Sequence, residues 1–295
     1  MANRHFGEIG DVWKHLLLAE ILAIEEPEDY WESHAGSAEY ALKHSYEKDY
    51  GVFYFLEHAN ESDALKSSSY NRVLKSLVKT KELKTYPGSP FIAMNLLKNI
   101  SFVFCDTDKE SLGNIERAAR KLKIPSKSLR AVERDGVPAL AELASKVPLK
   151  DVDTVVAFID PYRPFVKSEN DMNALELFAY LSQRGMKTVL WYGYDSDEYR
   201  EMIFSCVRMP FVNLDAETLV TPSVWCADIN LVAMEDATFS EVPGVFGCGI
   251  VCGNLSEKAR EACDKLGHEL AEIYESATLP GDRSGALVYR SMPLL

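Results

Sequence analysis

Between residues 101 and 192, short apolar segments alternate regularly with helix-forming segments. The apolar segments are continuous runs of Val, Ile, Phe and Leu, which is typical of parallel strands covered by helices on both faces. The predicted strands span residues 101–105, 128–133, 154–159 and 187–192, and the predicted helices span residues 109–122, 137–146 and 172–184. This alternation predicts an α/β fold with a mostly parallel, doubly wound sheet.

The region before this alternation is predicted to start the same sheet. A helix over residues 11–25, with Asp11 as its N-cap, precedes a short strand over residues 30–33. The stretch from about residue 41 to 85 then becomes polar and helix-prone, and we interpret it as a helical insertion after the first strand. Its predicted helices span residues 46–58 and 63–79.

After the insertion, Ser89 followed by Pro90 is predicted to be the N-cap of a further helix. From about residue 213 to 295 the chain becomes richer in strands. The predicted elements there are strands over residues 225–233, 245–252 and 285–290 and a helix over residues 256–275. No internal repeat interrupts the pattern, so residues 1–295 are predicted to form a single domain.

The amino-acid composition and the net charge argue against several classes of protein. Of the 295 residues 47% are hydrophobic and 26% charged, which argues against a disordered or fibrous chain. Lys and Arg number 32 and Asp and Glu number 45, so the formal net charge is −13. This balance disfavours a broad electrostatic grip on nucleic acid, although a local basic groove stays compatible with it.

The sequence predicts a cytoplasmic protein with no membrane partner. No uninterrupted apolar run approaches the ~20 residues needed to span a bilayer, and the first residues lack an apolar signal core. The six cysteines are scattered along the chain, which is typical of free thiols. No pattern in the sequence predicts an oligomeric state.

Polar residues follow four of the predicted strands. In an open parallel sheet, ligands bind at the carboxyl ends of the strands, near the point where the strand order reverses. The residues at these ends are His34, Asp106, Asp135 and Asp160. A single acidic residue there is often a plain strand terminator, but four in register predict a ligand site. Asp106 follows the second predicted strand of the sheet, counted from the strand over residues 30–33, and a carboxylate at that place accepts hydrogen bonds from ribose hydroxyls.

The loop after the first strand, ESHAGSA at residues 32–38, differs from the G-x-G-x-x-G fingerprint of dinucleotide sites. It contains one glycine, Gly36, whereas a pyrophosphate needs several backbone N–H groups at close range. The loop is therefore weak evidence for NAD and is compatible with a phosphate-free nucleoside such as S-adenosylmethionine. The alternative is a plain strand-to-helix turn with Gly36 at a positive φ angle.

Other chemistries have little support in the sequence. His15 and His34 could form a metal pair, but no third ligand has convincing spacing, so no metal site is predicted. Cys248 and Cys252 are predicted to share one face of a strand. The G-x-S-x-G and P-loop motifs of hydrolases and phosphoryl-transfer enzymes do not occur.

Several short segments occur in an order that resembles one known family. These segments are Gly7-x-x-x-Asp11-Val12-Trp13-Lys14-His15, Ser33-His34-Ala35-Gly36-x-x-x-Tyr40, Tyr86-Pro87-Gly88-Ser89-Pro90-x-Ile92-Ala93, Asp135-Gly136, Ile159-Asp160-Pro161 and Leu190-Trp191-Tyr192. Together they resemble the bacterial large-subunit ribosomal RNA adenine methyltransferase J family, once described as a family for the use of external DNA. The resemblance covers nearly the whole chain.

The resemblance implies a class I S-adenosylmethionine-dependent methyltransferase with a Rossmann-like fold. It implies a cofactor pocket formed by His15, His34, Gly36, Ser89, Asp106, Asp135 and Gly136. Asp106 stands where the family has a glutamate. Asp160 takes the place of the family's catalytic acid, between cofactor and acceptor, and we predict Tyr162 and Lys14 as further catalytic residues on the same acceptor side. Such an enzyme aligns an acceptor lone pair with an already activated methyl group and excludes water.

Two departures fall on the acceptor side. Amino-methylating members carry Asp-Pro-Pro-aromatic, which holds an extruded base, whereas here the run is Asp160-Pro161-Tyr162-Arg163-Pro164. The family's N-terminal arm also carries an aromatic residue and a histidine that reach the target adenine. This chain begins closer to Gly7 and has no tyrosine there.

Three interpretations follow. The first is a methyltransferase with an altered acceptor site that methylates a small molecule. The second is a ribosomal RNA adenine methyltransferase with a drifted motif, which should show a positive groove around Asp160, supplied by Arg4, Lys14, Arg163 and Lys167. The third is a catalytically silent cofactor-binding protein, in which Tyr162 or the segment around Trp225 fills the acceptor pocket.

Overall fold

The computed structural model describes residues 6–78, 82–212, 221–232 and 245–295. Arg4, the predicted element ends Lys79 and Ala233, and residue 213, where the strand-rich part was predicted to begin, lie outside these residues. The described strands are β1 (Asp29–Glu32), β2 (Glu39–Ala41), β3 (Thr85–Pro87), β4 (Ser101–Asp106), β5 (Leu129–Glu133), β6 (Val155–Ile159), β7 (Lys187–Tyr194), β8 (Val224–Leu231), β9 (Gly247–Gly253), β10 (Thr278–Leu279), β11 (Arg283–Ser284) and β12 (Leu287–Pro293).

Eight of these strands form the central sheet, in the order β12-β8-β9-β7-β6-β1-β4-β5. The strands from β7 to β5 in this order are parallel, and β9 lies antiparallel between β7 and β8. Strand β12 extends the sheet antiparallel to β8. A parallel sheet with an antiparallel strand inserted near one edge is the arrangement of the Rossmann-like class I methyltransferases, so the predicted fold class is confirmed.

Helices cover both faces of the sheet. They are α1 (Ile9–Glu25), α2 (Tyr46–Lys48), α3 (Tyr54–His58), α4 (Asp63–Ser67), α5 (Ser69–Leu77), α6 (Ser89–Leu96), α7 (Lys109–Lys121), α8 (Gly136–Ser145), α9 (Ala174–Gln183), α10 (Asp197–Val212) and α11 (Glu257–Ile273). One core contains α1, α5, α6, α7 and α11, and the other contains α8, α9 and α10. None of the described helices combines the length and the apolar character needed to cross a membrane.

The predicted helix over residues 46–58 is wrong in its middle, where a π-helix spans Asp49–Phe53. Gly51 there has non-helical angles (φ −83°, ψ −111°). A Cβ atom on Gly51 would lie 2.3 Å from the carbonyl oxygen of Gly7, and the Val52 N–H donates to that oxygen at 2.9 Å. The insertion therefore bends at the point where the backbone of Gly7 packs against it.

Two predicted helix caps are also wrong. Helix α1 begins at Ile9 with Glu8 at the N-cap, and Asp11 instead accepts a hydrogen bond from the Gly7 N–H at 2.8 Å. At α6 the N-cap is Gly88, because its N–H pairs with the Ala38 carbonyl beside strands β2 and β3. Ser89 is the first helical residue, which frees its hydroxyl for another partner.

Candidate functional site

The loop that follows β1 lies where the strand order reverses, between the carboxyl ends of β4 and β6. Four of its backbone N–H groups have acceptors inside the protein. The donor and acceptor pairs are Ser33 to the Phe158 carbonyl (3.1 Å), Ala35 to the Cys105 carbonyl (3.0 Å), Gly36 to Asp106 Oδ2 (2.7 Å) and Ser37 to the Tyr40 hydroxyl (2.8 Å). These four donors are not available to a phosphate, so the loop is unlike the anion cradle of a dinucleotide site.

Glycines allow neighbouring segments to approach this loop closely. A Cβ atom on Gly136 would lie 1.8 Å from the Ser33 carbonyl oxygen, and one on Gly88 would lie 2.2 Å from the Ser37 carbonyl oxygen. Gly36 itself has φ +61°, in the left-handed region that favours glycine. The loop is thus packed tightly between the segments that contain Gly88 and Gly136, which fix its backbone conformation without a ligand.

Asp106, at the end of β4, holds this loop and still has acceptor capacity. Its Oδ2 accepts from Gly36 N–H, and its Oδ1 accepts from Asp108 N–H at 2.7 Å. A carboxylate has about four lone-pair sites, so two remain after these bonds. Asp106 lines both cavities at this edge of the sheet and can accept further hydroxyl donors there.

The smaller of these cavities, of about 340 Å³, brings together His34, Asp106, Asp135 and Gly136, with Tyr162 at its edge. Asp135 is the N-cap of α8, since its Oδ1 accepts from the Val137 N–H at 2.9 Å. That bond leaves the second carboxylate oxygen free of the cap.

The larger cavity, of about 500 Å³, brings together the remaining predicted site residues. Its lining includes His15, His34, Gly36, Ser89, Asp106, Lys14, Asp160 and Tyr162. Because His34, Asp106 and Tyr162 line both cavities, the two adjoin at the switch point, and we refer to them together as the cleft. All ten residues predicted for cofactor or acceptor therefore lie along one cleft.

Lys14 and Asp160 form an ion pair at the floor of the larger cavity. The Lys14 Nζ atom lies 2.6 Å from Asp160 Oδ2 and 2.9 Å from Asp11 Oδ1. Burial alone would lower the pKa of Lys14, but Asp11 and Asp160 raise it above its usual value. The ammonium therefore stays charged and fixes the orientation of the Asp160 carboxylate.

The two histidines of the cleft are neutral at neutral pH. Burial lowers the pKa of His15 well below its usual value, and the charge of Lys14 acts in the same direction. Its Nδ1 lies 2.8 Å from the Tyr86 hydroxyl, which in turn lies 3.0 Å from the Tyr70 hydroxyl. Burial also lowers the pKa of His34. Within the described ranges, no three His, Cys, Asp or Glu residues are grouped so that they could share a metal ion.

Beneath Ser89 lies a carboxyl group that the sequence analysis did not single out. Glu32, the last residue of β1, is fully buried and accepts hydrogen bonds from the Ser89 hydroxyl (2.9 Å) and the Tyr30 hydroxyl (2.7 Å). Burial raises the pKa of Glu32 to about 8, against the effect of these two hydrogen bonds. Residues 30 and 32 of a strand point to the same face, so the sequence could have predicted that Glu32 shares the buried face of Tyr30.

On the predicted acceptor side, the residues that the structure describes leave the cleft unfilled. Tyr162 is 85% exposed, and the Arg163 guanidinium lies 5.9 Å from its ring centroid. Trp225 is buried in the core rather than in the cleft. Neither residue fills the cavity, as the silent interpretation would require.

Four aromatic residues of the cavity wall were not predicted as site residues, namely Phe6, Tyr40, Tyr86 and Trp191. Trp191 lines the larger cavity, and Lys14 Nζ lies 5.1 Å from its ring centroid. Phe6 also lines it and stacks on Tyr40 at a centroid distance of 4.8 Å. The start of the chain therefore does place an aromatic ring on this wall, although it is a phenylalanine rather than a tyrosine.

The larger cavity is acidic. Of its described lining residues, one is a lysine, Lys14, and five carry carboxylates, which are Glu8, Asp11, Asp106, Asp108 and Asp160. Of the four cations suggested for a positive groove, Lys14 is paired as above and Lys167 lies 2.6 Å from Glu176. Arg163 lines the smaller cavity beside the Tyr162 ring, and Arg4 lies outside the described residues. Such a lining attracts cations and repels phosphates.

No protein-family model matches the sequence, and no curated protein matches it. Among solved structures, the chain is similar to protein LPL1258 from Legionella pneumophila, described under the family name DUF519. The two are 20% identical over 98% of each chain, with a TM-score of 0.70. At this identity the likeness shows the fold alone, so membership of the family resembled in sequence stays a prediction.

Two further structures match more loosely. Precorrin-6y C5,15-methyltransferase from Geobacter metallireducens is 12% identical over 81% of this chain and 86% of its own, with a TM-score of 0.35. Precorrin 8W decarboxylase from Methanobacterium thermoautotrophicum is 12% identical over 56% of this chain and 76% of its own, with a TM-score of 0.32. Superpositions this loose carry no argument about function.

Proposed function

We propose that this chain is an S-adenosylmethionine-dependent methyltransferase whose acceptor is a small molecule bearing an amine or an aromatic ring. The observation that carries the proposal is an acidic cleft whose loop amides are already bonded within the protein. A dinucleotide would bring a pyrophosphate to amides that are occupied and to carboxylates that repel it. A nucleoside with a positively charged sulfur brings no phosphate to the loop, and the carboxylates of the cleft attract its charge.

The residues of the cleft fit such a nucleoside. Asp106 has two free acceptor sites for ribose hydroxyls, and the neutral His34 and Ser89 offer polar contacts without adding positive charge. Asp135 and Gly136 bound the smaller cavity beyond Asp106, where a purine would extend. When bound, the cofactor supplies a methyl group on a cationic sulfur that is activated before the protein acts on it.

The acceptor chemistry is assigned to Asp160, Lys14 and Tyr162. With an amine acceptor, the nitrogen lone pair forms the new N–C bond while the electron pair of the broken S–C bond stays on sulfur. The Asp160 carboxylate orients the amine and receives its proton, which then leaves to water. Lys14 is a positioning residue that holds Asp160 at 2.6 Å, and Tyr162 supplies a ring face at the mouth of the cleft.

One observation favours a second candidate, a ribosomal RNA adenine methyltransferase. Tyr162 is an exposed aromatic side chain next to the cation Arg163, and such a pair can stack on an extruded base and contact its phosphate. Against it stands the acidic lining that a phosphate backbone would approach.

Calorimetry and methyl transfer together test the proposal. We expect S-adenosylmethionine and its demethylated product to bind with a stoichiometry near one and more tightly than NAD. Tighter binding of NAD, or no binding of either sulfur nucleoside, would contradict the cofactor assignment. With labelled methyl donor, we expect label in the small-molecule fraction of a cell extract. Efficient labelling of unmodified ribosomal RNA would select the second candidate, and binding without any transfer would select the silent interpretation.

A further inference from the structure

Glu32 is a buried carboxyl group that lies one hydrogen bond behind the wall of the cleft. It has no exposed surface, and its contact with the cavity is made through Ser89, whose hydroxyl donates to Oε2 at 2.9 Å. On the neighbouring strands its register partners are Phe104 and Phe158, so its flanks are apolar. An uncompensated charge at this position is costly, because it has been removed from water.

The groups facing Glu32 come from four elements. Tyr30 on β1 and Ser89 on α6 hydrogen-bond to it. Asp160, at the end of β6, raises the pKa of Glu32 and Lys14 on α1 lowers it, while burial is the largest effect and raises it to about 8. Since Lys14 is already paired with Asp11 and Asp160, it leaves Glu32 without a cation of its own.

Glu32 can change its protonation state without moving its neighbours. In the ionised form both oxygens accept hydrogen bonds from the Tyr30 and Ser89 hydroxyls. In the neutral form the carboxyl donates one hydrogen bond, and a hydroxyl group can turn from donor to acceptor at the same heavy-atom position. The site therefore has two electrostatic states with one geometry.

Building on the proposed function, we infer that Glu32 makes the preference of the site for the charged methyl donor over the neutral demethylated product increase with pH. S-adenosylmethionine carries a sulfonium that its product lacks, whereas the amino acid, ribose and base are common to both. A cation in a cavity next to Ser89 stabilises the ionised form of Glu32, and a neutral ligand does not. Binding of the donor then releases a proton from Glu32 to water, and binding of the product releases none.

The linkage has a definite sign. A group that is protonated in the free protein and ionised in the donor complex makes donor affinity rise with pH. The increase continues through the transition of Glu32 in the free protein and levels off above it. The sulfonium lowers the pKa of the donor's amino group relative to that of the product, so the ratio of their dissociation constants also contains the titration of the ligands themselves. This contribution is the same for the wild type and for Glu32→Gln, which makes the difference between the two proteins the quantity to follow.

Calorimetry at pH 6.5, 7.5 and 9.0 on the full chain measures this ratio. We expect the product-to-donor ratio of dissociation constants in the wild type, divided by the same ratio in Glu32→Gln, to rise about fivefold across this range, for a change of somewhat less than one pKa unit on donor binding. Glu32→Gln keeps the shape and an acceptor oxygen, so its product affinity should stay within about twofold of the wild type. Tyr30→Phe removes a donor to the ionised form, so its transition should move to higher pH. Glu39→Gln, on strand β2 and outside the cleft, is the matched control and should follow the wild type.

A second measurement does not depend on any variant folding. Proton release is obtained from the wild type at pH 7.5 in two buffers of different ionisation enthalpy. The titration of each free ligand's amino group is measured separately and subtracted. After this subtraction we expect release with the donor and none with the product. Equal corrected release for both ligands, or a wild-type ratio that changes with pH as it does in Glu32→Gln, would overturn the role of Glu32 while leaving the proposed function standing. If neither ligand binds at any pH, it is the proposed function that fails.

Discussion

On one side of the cleft, the loop after β1 is held by four backbone hydrogen bonds and by close contacts at Gly88 and Gly136. On the other side, the segment after Asp160 presents Tyr162 almost fully to solvent, and Asp160 itself is held by one ion pair with Lys14. The first side has a shape fixed before any ligand arrives, which lowers the ordering cost of binding. The second is shaped by side chains that can be exchanged without disturbing the sheet. We therefore expect changes on the first side to alter cofactor affinity and changes on the second to alter transfer.

The largest expected effect is on transfer, in Asp160→Asn. The amide keeps the size of the carboxylate but loses its charge and its ability to take a proton. We expect methyl transfer to fall by about 100-fold or more, a typical loss for a general base. Affinity for the donor, measured by calorimetry, should stay within about tenfold. A matching loss of donor affinity would place Asp160 on the cofactor side and break the comparison.

The second-largest effect is expected on the rigid side of the cleft, which is the loop after β1 with its contacts at Gly88 and Gly136. In Gly136→Ala the new Cβ would lie 1.8 Å from the Ser33 carbonyl oxygen, so the loop or α8 must shift. We expect a loss of about 2–3 kcal/mol in the free energy of unfolding by urea, as for overpacked sites, together with at least tenfold weaker donor binding. Gly113→Ala in the middle of α7 is the control, because its nearest neighbour would be the end of the Arg117 side chain at 3.4 Å. That change should stabilise the helix by about 1 kcal/mol.

On both sides of the cleft, the ends of the strands were the part that could be predicted from the sequence. Strand β6 is a continuous apolar run that is buried along its whole length. The ends of such a run in the sequence show where the strand begins and ends. Because parallel strands end at one edge, placing Asp106 and Asp160 after their strands was enough to bring them into one cleft. The alignment of these strand ends can therefore be predicted without knowing any contact between residues far apart in sequence.

What could not be predicted depends on contacts between residues far apart in sequence. The π-helical bend at Gly51 exists because Gly7 packs against it, and nothing near Gly51 in the sequence signals that contact. Phe6 reaches the cavity wall through the same anchoring. Helix α10 received no prediction, since it contains Pro210 and a mixed surface pattern.

The next effect tests the contribution of a single side chain on the rigid side, Asp106. Asp106→Ala removes the acceptor of the Gly36 N–H and, on our proposal, two acceptors of ribose hydroxyls. We expect donor affinity to weaken by about 1–3 kcal/mol, because hydrogen bonds to a charged acceptor are lost. Product affinity should weaken equally, since both ligands share the ribose. Calorimetry with both ligands checks this, and unchanged affinity would move the ribose site elsewhere in the cleft.

The smallest effect is expected on the open side, in Tyr162→Ala. Because the side chain is 85% exposed, its removal should change the free energy of unfolding by less than about 0.5 kcal/mol. If the acceptor is a ring that stacks on Tyr162, its KM should rise about three- to tenfold while kcat changes by less than about twofold, since stacking contributes about 1 kcal/mol. Tyr162→Phe keeps the ring and should behave as the wild type. Donor affinity should be the same in all three proteins, and a change in it would show that Tyr162 belongs to the cofactor side, against the division of the cleft drawn above.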